Sequence, residues 1–430
     1  MVERNERTAD VVVVGAGICG ATAAEALARR GLRVVVVEKN AGPGLEQSGR
    51  AQGAIRVQGR EVAELPLAIE SLAVWREVAD YGDELELRFG GNLYLCTTED
   101  EVRQATELRD TAHASGLTDV RLLTPDDARQ IVPAATGEFL AGMWSPRDAQ
   151  CLPRAATEFF AGRAASAGAL FRYETLAERI VDADGAVHGL ETSRGRIEAR
   201  AVVVTAGIWT AHLAATAGVS VPVMPVALSQ CETEPVAALI GPTLRCFAFG
   251  ARQRPNGRIS MSAGMNTIVD HYGSLASFRH ARTWVRRYRA NRKAIRLRVD
   301  WTRLTRELHG SIDAAGHMGR QVERMPNRRL MDASLAAAAR IIPRLRDARL
   351  SRYWAGVIDM SPDGLPILDG SAGPRGLVVV TGLSGHGLAL GPAIGRIAAE
   401  LAAEGRTERS IEAFALRRFE GATPIPTKML

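Results

Sequence analysis

Residues 10–38 read DVVVVGAGICGATAAEALARRGLRVVVVE, and this stretch decides the fold. The four valines at 11–14 are typical of a strand that is buried on both faces. Apolar residues at helical spacing continue through 18–28, and four more valines at 34–37 predict a second buried strand, which Glu38 closes. A G-x-G-x-x-G motif joins the first strand to the helix, at Gly15, Gly17 and Gly20. The order of these parts predicts a βαβ unit with parallel strands.

Each part of this unit has a physical role in binding the pyrophosphate of a dinucleotide. Gly15 permits the tight turn, Gly17 lets the pyrophosphate approach the backbone, and Gly20 packs the helix against the strand. The helix N-terminus attracts the phosphate charge. Glu38 can accept hydrogen bonds from ribose hydroxyls and would repel a 2′-phosphate. The unit therefore predicts a dinucleotide site, and NAD and FAD both remain open at this point.

The composition sets the broad class of the protein. With 430 residues, 46% of them hydrophobic, we expect a globular chain of two domains. No apolar run reaches the roughly 18–20 residues of a membrane span, and the polar residues 1–8 carry no secretory signal, so we expect a cytoplasmic protein. The five cysteines are odd in number and include no C-x-x-C pair, which argues against a disulfide framework or a zinc site.

The positive charge is concentrated in one segment. The formal net charge is +6, but residues 275–304, with ten Lys or Arg against the single acid Asp300, contribute +9 and the rest of the chain −3. Apolar residues from Phe278 to Tyr288 have helical spacing. Two interpretations stay open: a solvated helix over the second domain, or a docking surface for an acidic partner subunit. No nucleic-acid-binding fold is evident, so we expect no nucleic-acid partner.

The order of predicted elements indicates a discontinuous architecture. The segment AVVVTAGIWT at 201–210 predicts a buried strand that returns to the first sheet, and residues 220–265 alternate as strands do. The predicted fold class is α/β, a Rossmann-like domain with an inserted α+β domain built on a mainly antiparallel sheet. The first domain is predicted from residues 1–85, 150–219 and 345–430, and the second from 86–149 and 220–344 with a basic helical insertion at about 275–304.

Five segments, in this order, resemble the superfamily of FAD-dependent D-amino-acid oxidases and sarcosine oxidases. They are VVVVGAGICG with VVVVE, SGRAQGAIR, AVVVTAGIWT, WAGVIDMSPDGLPILDG and TGLSGHGLALGPAIG. The last two look most like the amine-oxidising branch, which includes glycine oxidase, the sarcosine oxidase β subunit and opine or hydroxyproline dehydrogenase subunits. The resemblance covers most of the chain except about 270–330. It implies that FAD takes a hydride from the carbon next to the nitrogen of an amine or amino acid, giving an imine.

The resemblance also implies the residues of the site. Arg56 stands where a family arginine binds the substrate carboxylate in some members, although a salt bridge or a flavin contact is also open. His386 is a candidate base or a flavin-contacting residue. The implied cofactor contacts are Gly15, Gly17, Ile18, Cys19, Gly20, Glu38, Lys39, Ser48, Gly49, Arg50, Ala51, Gln52, Gly53, Ala177, Ala206, Gly207, Trp209, Gly356, Asp363, Gly382, Gly385, His386, Gly387 and Leu388.

The sequence departs from the family in ways that affect the cofactor and the electron acceptor. Some relatives attach FAD through a cysteine before a T-P-D element, but GVIDMSPD has none here, and SPRDAQCLPR lacks the histidine that carries a second flavin in some β subunits. We therefore expect non-covalent FAD. Of the three lysines, Lys39, Lys293 and Lys428, only Lys293 is a candidate to assist reaction with O2. The sequence thus favours a dehydrogenase, or an oxidase that uses another group.

The segment TGLSGHGLALGPAIG predicts where the chain meets the flavin ring. Gly382, Gly385 and Gly387 let the backbone pass against a planar ring, where side chains would clash. Gly391-Pro392 is predicted to open a helix whose dipole stabilises negative charge on the reduced ring.

Two other functions stay open. One is a flavin 2-hydroxy-acid dehydrogenase that uses a general base, for which His386 is the candidate. The other is an FAD-binding subunit that is active only in a hetero-oligomeric complex, docked through residues 275–304.

Overall fold

The computed structural model describes residues 7–264, 268–299, 301, 304–305 and 324–420. The strands are β1 Val11–Val14, β2 Val34–Val37, β3 Ala54–Ile55, β4 Asn92–Cys96, β5 Arg121–Leu123, β6 Ala141–Ser145, β7 Ala149–Gln150, β8 Leu170–Arg172, β9 Ala177–Ala183, β10 Ala186–Thr192, β11 Ile197–Glu198, β12 Ala201–Val204, β13 Met224–Thr233, β14 Thr243–Cys246, β15 Phe249–Gln253, β16 Ile259–Ala263, β17 Val269–Gly273, β18 Ile295–Val299, β19 Leu350–Met360, β20 Ile367–Asp369 and β21 Leu377–Thr381. The α-helices are α1 Ile18–Arg29, α2 Leu65–Arg76, α3 Gly82–Leu85, α4 Glu99–Ala114, α5 Pro125–Ile131, α6 Pro153–Ser166, α7 Thr210–Ala215, α8 Leu275–Arg279, α9 Ala281–Asn291, α10 Arg328–Ile341 and α11 Gly387–Glu404.

A six-stranded sheet carries the βαβ unit, in the order β20-β21-β12-β1-β2-β8. Strand β1 pairs in parallel with β2 and with β12, so that Val11 faces both Val34 and Ala201. The predicted return of the chain to the first sheet is thus confirmed. Strand β20 runs antiparallel to β21 at one edge, and the other pairs are parallel.

Alternate valines of β1 enter two different hydrophobic cores, because successive side chains of a strand point to opposite faces of the sheet. Val11 and Val13 pack in a core with residues of α1, α6 and α11. Val12 and Val14 pack on the other face with α7 and the three-stranded sheet β11-β10-β9. Both faces of the sheet are covered, which explains why its central strands β1, β2 and β12 are apolar throughout.

A second, larger sheet is mixed. Strand β13 pairs antiparallel with β16, β17 and β19, whereas β14 runs parallel to β4 and β17 runs parallel to β18. The sequence predicts a mainly antiparallel sheet. The parallel pairs change this to a mixed sheet: β4 and β14 are far apart in the chain, and β17 and β18 are connected through α8 and α9, and local alternation reveals neither pairing. The predicted division into two domains stays a prediction; β19 lies in the larger sheet although its residues fall within the 345–430 segment.

The basic segment is not helical throughout. Helices α8 and α9 are followed by β18, which pairs with β17. On α9, Trp284 is 7% exposed and packs with Met224, Val226 and Met360. Phe278, before α9, is more than half exposed. The sequence predicted a helical insertion at about 275–304, and the pairing of β18 with β17 corrects this prediction for residues 295–299. The alternating arginines at 296 and 298 suit an edge strand as well as a helix.

Helix α11 begins one turn earlier than the sequence predicts. It begins at Gly387, so Pro392 lies inside the helix rather than at its first position. A proline there cannot donate to the carbonyl four residues back, which belongs to Leu388. The fully buried Trp75 of α2 replaces that donor: its indole Nε1–H donates to Leu388 O at 3.0 Å. An interaction between distant segments thus carries the helix past the proline.

Candidate functional site

A cavity of about 580 Å³ lies where the two larger sheets meet. Its walls include the residues that follow β1, β2 and β12, the first turns of α1 and α11, and parts of β13, β16 and β19. The carboxyl ends of the parallel strands in the six-stranded sheet therefore open into it, which is where α/β sheets place their ligands. The volume falls in the range of about 300–1,000 Å³ that is typical of small-molecule sites.

The glycine motif forms one end of the cavity. Gly15 has a φ of +98°, and a Cβ at this position would lie 2.6 Å from Thr205 O. A Cβ at Gly20 would lie 1.9 Å from Gly15 O, so Gly20 lets α1 pack directly against the turn. The backbone N–H of Ile18, in the first turn of α1, donates to Ser48 Oγ at 3.0 Å. This end has the two features that bind a pyrophosphate: a backbone that a ligand can approach closely, and the N-terminus of a helix.

Glu38 closes the same end and retains hydrogen-bonding capacity. Its Oε2 accepts from the backbone N–H of Ala16 at 2.8 Å, and its Oε1 accepts from the backbone and side-chain N–H groups of Asn40. A carboxylate has about four acceptor positions, so one remains for a ribose hydroxyl. Burial raises the pKa of Glu38 above its ordinary value, and the donated hydrogen bonds oppose that rise.

The loop after β2 is fixed between the two sheets. Trp354 Nε1 donates to Arg50 O at 3.0 Å, and Arg50 Nη1 donates to Ala355 O at 3.2 Å. Gln52 O accepts from the guanidinium of Arg252, which is 2% exposed. Among the described residues, the side-chain Nε2 atoms of Gln47 and Gln52 are buried without a partner, and both residues line the cavity. Such unsatisfied donors indicate a polar ligand.

His386 is held by a buried glutamate that the sequence analysis missed. The Nδ1 atom of His386 lies 2.7 Å from Oε1 of Glu64, which is fully buried. Burial lowers the pKa of His386 to about 4, and Arg60 lowers it further while Glu64 opposes the shift. The pKa of Glu64 is lowered because His386 and Arg60 outweigh its burial. The pair is therefore a neutral imidazole, with Nδ1 donating, beside an ionised carboxylate.

Three arginines also line the cavity, and the part that they line is here called the arginine end. Arg56 and Arg60 follow β3, and Arg245 lies on β14 of the larger sheet. Burial, followed by the charge of Arg60, lowers the pKa of Arg245 to about 10. Burial also lowers the pKa of Arg56 well below its ordinary value, and the charges of Arg245 and Arg60 add to this. The three guanidinium groups thus repel one another around shared space.

Most of the predicted cofactor contacts line this cavity. They are Gly15, Gly17, Ile18, Cys19, Glu38, Lys39, Ser48, Arg50, Ala51, Gln52, Gly53, Ala177, Ala206, Gly207, Trp209, Gly356, Gly385, His386, Gly387 and Leu388, and the predicted substrate residue Arg56 lines it as well. These residues belong to widely separated segments of the sequence, and the fold brings them together around one cavity.

Four predicted contacts do not line the cavity. Asp363 instead forms a buried ion pair with Arg418 at 2.7 Å. Gly20 and Gly49 pack beneath the wall, and a Cβ at either would lie 1.9 Å from a carbonyl oxygen. The backbone N–H of Gly382 donates to Asp359 Oδ2 at 2.7 Å. Gly20, Gly49 and Gly382 therefore shape the backbone that lines the cavity.

Other classes of site receive no support in the described part of the chain. Within it, no group of three or more His, Cys, Asp or Glu residues could hold a metal ion, and all five cysteines are free and buried. No helix in the described ranges is long and apolar enough to cross a membrane. The cytoplasmic location stays a prediction.

Comparisons with known proteins agree with this geometry. The family model for FAD dependent oxidoreductases matches residues 10–401. The chain is 29% identical over 426 residues to a glycine oxidase of Geobacillus kaustophilus, covering 96% of this chain and 97% of the relative. It is 26% identical over 467 residues to a D-amino acid dehydrogenase of Paramagnetospirillum magneticum, covering 95% and 98%.

A solved structure shares the fold. The L-amino acid deaminase from Proteus vulgaris superimposes with a TM-score of 0.85 at 22% identity, covering 96% of this chain and 97% of that one. At this identity the likeness supports the fold, a mixed α/β architecture.

Proposed function

The chain belongs to the family of FAD-dependent oxidoreductases, and from this premise we propose that it oxidises an amine or amino acid. The substrate loses a hydride from the carbon next to nitrogen and a proton from nitrogen, which leaves a C=N bond. Water then adds to the imine carbon and releases a carbonyl compound and an amine or ammonia. The full-length similarity to a glycine oxidase and a D-amino acid dehydrogenase supports this substrate class.

One observation carries the proposal: the dinucleotide motif and the arginine cluster line the same cavity. Gly15, Glu38 and Arg56 line it together with the N-terminus of α11. Gly385 and Gly387 have no side chains, so the wall that they form would leave room for a planar ring. The guanidinium groups of the same cavity would hold a carboxylate-bearing substrate.

The residues present fit FAD. Glu38 has an acceptor position left for the ribose, and the amides of Gln47 and Gln52 have donors without partners. When bound, FAD supplies an acceptor for the hydride of the substrate. The N-terminus of α11 would favour negative charge at that end of the cavity. We expect the attachment to be non-covalent, since Cys19, the cysteine among the lining residues, is buried with a pKa raised by burial.

The side chains of the site would orient the substrate and accept its proton. Arg56 is suited to bind the α-carboxylate through two parallel hydrogen bonds. A substrate amine is protonated in water and must lose a proton before its carbon can release a hydride. His386 is neutral and its Nδ1–H is held by Glu64, so its Nε2 lone pair is available to take that proton.

The lysines of the chain bear on which electron acceptor reoxidises the flavin. Lys293, the candidate to assist reaction with O2, is exposed and is not among the residues that line the cavity. Lys39 lines the cavity but forms an ion pair with Glu46 at 2.6 Å. Both observations support a dehydrogenase, or an oxidase that uses another group, over an oxidase that relies on a lysine.

Two alternatives are each favoured by one observation. The His386–Glu64 pair would also serve a 2-hydroxy-acid dehydrogenase, in which the base removes a hydroxyl proton. Exposed Phe278, Val285 and Tyr288 lie among the arginines of α8 and α9, which supports a subunit that docks through this surface.

The test is anaerobic bleaching of the flavin absorbance of the purified holoenzyme by primary amines, secondary amines, D- and L-amino acids and 2-hydroxy acids. The proposal expects bleaching by amines with formation of the matching carbonyl compound. Bleaching by hydroxy acids alone would replace it with the first alternative. Bleaching only after a partner protein is added would replace it with the second, and a protein without FAD would end it.

A further inference from the structure

The arginine end of the cavity holds more positive charge than one carboxylate requires. Arg60 is 4% exposed, and its Nη1 is buried without a partner among the described residues. Its Nε donates to the backbone O of Arg56 at 3.1 Å, which fixes the Arg60 side chain against the backbone of Arg56. Arg245, on β14 of the larger sheet, lines the same cavity. A ligand in the cavity would therefore meet cations from two different parts of the fold, the segment after β3 and strand β14.

The nearby acids do not neutralise this charge at the cavity surface. Glu64 and Asp148 are the carboxylates whose charges act on Arg60, and neither is among the described residues that line the cavity. Glu64 is bonded to His386, and Asp148 Oδ1 accepts from the backbone N–H of Val57 at 2.8 Å. Burial raises the pKa of Asp148 to about 6, so this carboxyl is mostly ionised at pH 7, but its charge lies behind the wall and not on it.

The larger sheet presents a matching row of groups on one face. Strand pairing places Gln230, Ser262, Gly250 and Arg245 side by side across β13, β16, β15 and β14. Gln230, Ser262 and Arg245 line the cavity. The Oε1 atom of Gln230 is buried without a partner among the described residues. A Cβ at Gly250 would approach Ser262 Oγ and Gln52 Nε2. The glycine therefore leaves space along the row between the Gln230 acceptor and the Arg245 guanidinium.

A single α-carboxylate leaves this arrangement incomplete. One carboxylate is satisfied by one guanidinium in a paired geometry. The remaining guanidinium groups would then have as counter-charges only Glu64 and Asp148, which are not among the described residues that line the cavity. A second carboxylate on the same ligand would supply a counter-charge inside the cavity, and Oε1 of Gln230 could accept a hydrogen bond from a substrate N–H.

We propose that the substrate is an amine that carries two carboxylates, one bound by Arg56 and the other by Arg245 with Arg60. This inference rests on the proposed function, because it names the substrate class of the same site. Iminodiacetate and D-aspartate are members of this class. Sarcosine and D-asparagine are their matched partners: in sarcosine a methyl group replaces one carboxymethyl group, and in D-asparagine an amide replaces the second carboxylate.

The first experiment uses the wild-type holoenzyme and two ligands that lack an amine. Diglycolate has the shape of iminodiacetate with an ether oxygen, and methoxyacetate has the shape of sarcosine. Their dissociation constants are measured from the change in flavin absorbance on titration. We expect diglycolate to bind at least about ten-fold more tightly, from one added charge-assisted interaction. Equal binding of the two ligands would overturn the inference, whether or not any amine is oxidised.

The second experiment compares anaerobic flavin reduction by the two matched amine pairs in wild type, Arg245→Gln and Arg60→Gln. The exposed Arg344→Gln is the control. We expect the wild type to prefer the dicarboxylates in reduction rate over dissociation constant by about ten-fold or more. Arg245→Gln and Arg60→Gln should reduce that ratio, and the control should not. If monocarboxylate amines react equally well, the inference fails while the proposed function stands. If only hydroxy acids react, the proposed function fails and the amine part of the inference fails with it, while the titration still decides whether the cavity prefers two carboxylates.

Discussion

The substitution Glu64→Gln tests how the site prepares His386. In the structure, fully buried Glu64 fixes the Nδ1–H tautomer through a 2.7 Å contact. Glutamine has nearly the same volume, but its amide can donate to Nδ1 as well as accept from it, so the tautomer is no longer fixed. A hydrogen bond to a charged group contributes about 1.5–3 kcal/mol. We therefore expect the rate of amine-driven flavin reduction to fall roughly ten- to 150-fold.

Stopped-flow absorbance under anaerobic conditions measures this rate directly, because one turnover bleaches the flavin. The exposed Glu84→Gln is the matched control, and its rate should equal that of wild type. FAD content and substrate dissociation constant should stay close to wild type in Glu64→Gln, since Glu64 is not among the described cavity-lining residues. An unchanged reduction rate in Glu64→Gln would refute the tautomer argument.

The same pair makes a prediction about pH. Burial lowers the pKa of His386 to about 4, so the base is already neutral at pH 6 and above. The acid limb of the reduction rate that belongs to His386 should therefore lie near pH 4 rather than near the ordinary histidine value of about 6.5. An acid limb near pH 6.5 that His386→Ala abolishes would contradict the structure of the pair.

Three further predictions concern the scaffold. Gly20→Ala should yield protein with much less bound FAD, measured by the ratio of flavin to protein absorbance, because the new Cβ would lie 1.9 Å from Gly15 O. Trp75→Phe should lower the free energy of unfolding by about 1–3 kcal/mol, measured by urea denaturation, because it removes the donor to Leu388 O. The loss should be smaller in a Pro392→Ala background, because the restored backbone N–H of residue 392 can replace that donor. Burial lowers the pKa of His271 to about 4. Below about pH 6.5 the unfolded chain therefore binds a proton that the folded state does not, and the free energy of unfolding should fall by up to about 3 kcal/mol as the pH drops to 4. The variant His271→Leu should lose this pH dependence, and the exposed control His188→Leu should keep it.

The parts of the fold that local sequence determines were predictable. The valines of β1 and β2, with the glycines between them, predict a βαβ unit, and the structure contains it at the same residues. The apolar strand within AVVVTAGIWT predicts the return of the chain to the first sheet, and β12 pairs with β1 in register. In each case a short pattern carries the information, because both faces of these strands are buried.

The interactions that the sequence did not reveal join distant residues. Nothing local to Pro392 indicates that Trp75 supplies the missing donor, so the start of α11 was predicted one turn too late. Glu64 and His386 are 322 positions apart, and neither lies in a pattern that points to the other. Arg245 lies in a short strand without a motif, and only its place in the larger sheet brings it to the cavity. Arg60 follows Arg56 by four residues, a spacing that can bring two side chains together, and this was the one local indication of the cluster in the sequence.

The most direct test of the central claim is the isotope dependence of flavin reduction. The holoenzyme is mixed anaerobically with the amine that bleaches it fastest, either with hydrogen or with deuterium on the carbon next to nitrogen. If that carbon gives its hydride to the flavin in this cavity, the deuterated substrate should bleach the flavin more slowly, while the dissociation constant stays the same. Equal single-turnover rates for the two substrates, or bleaching without any oxidation at that carbon, would contradict the account.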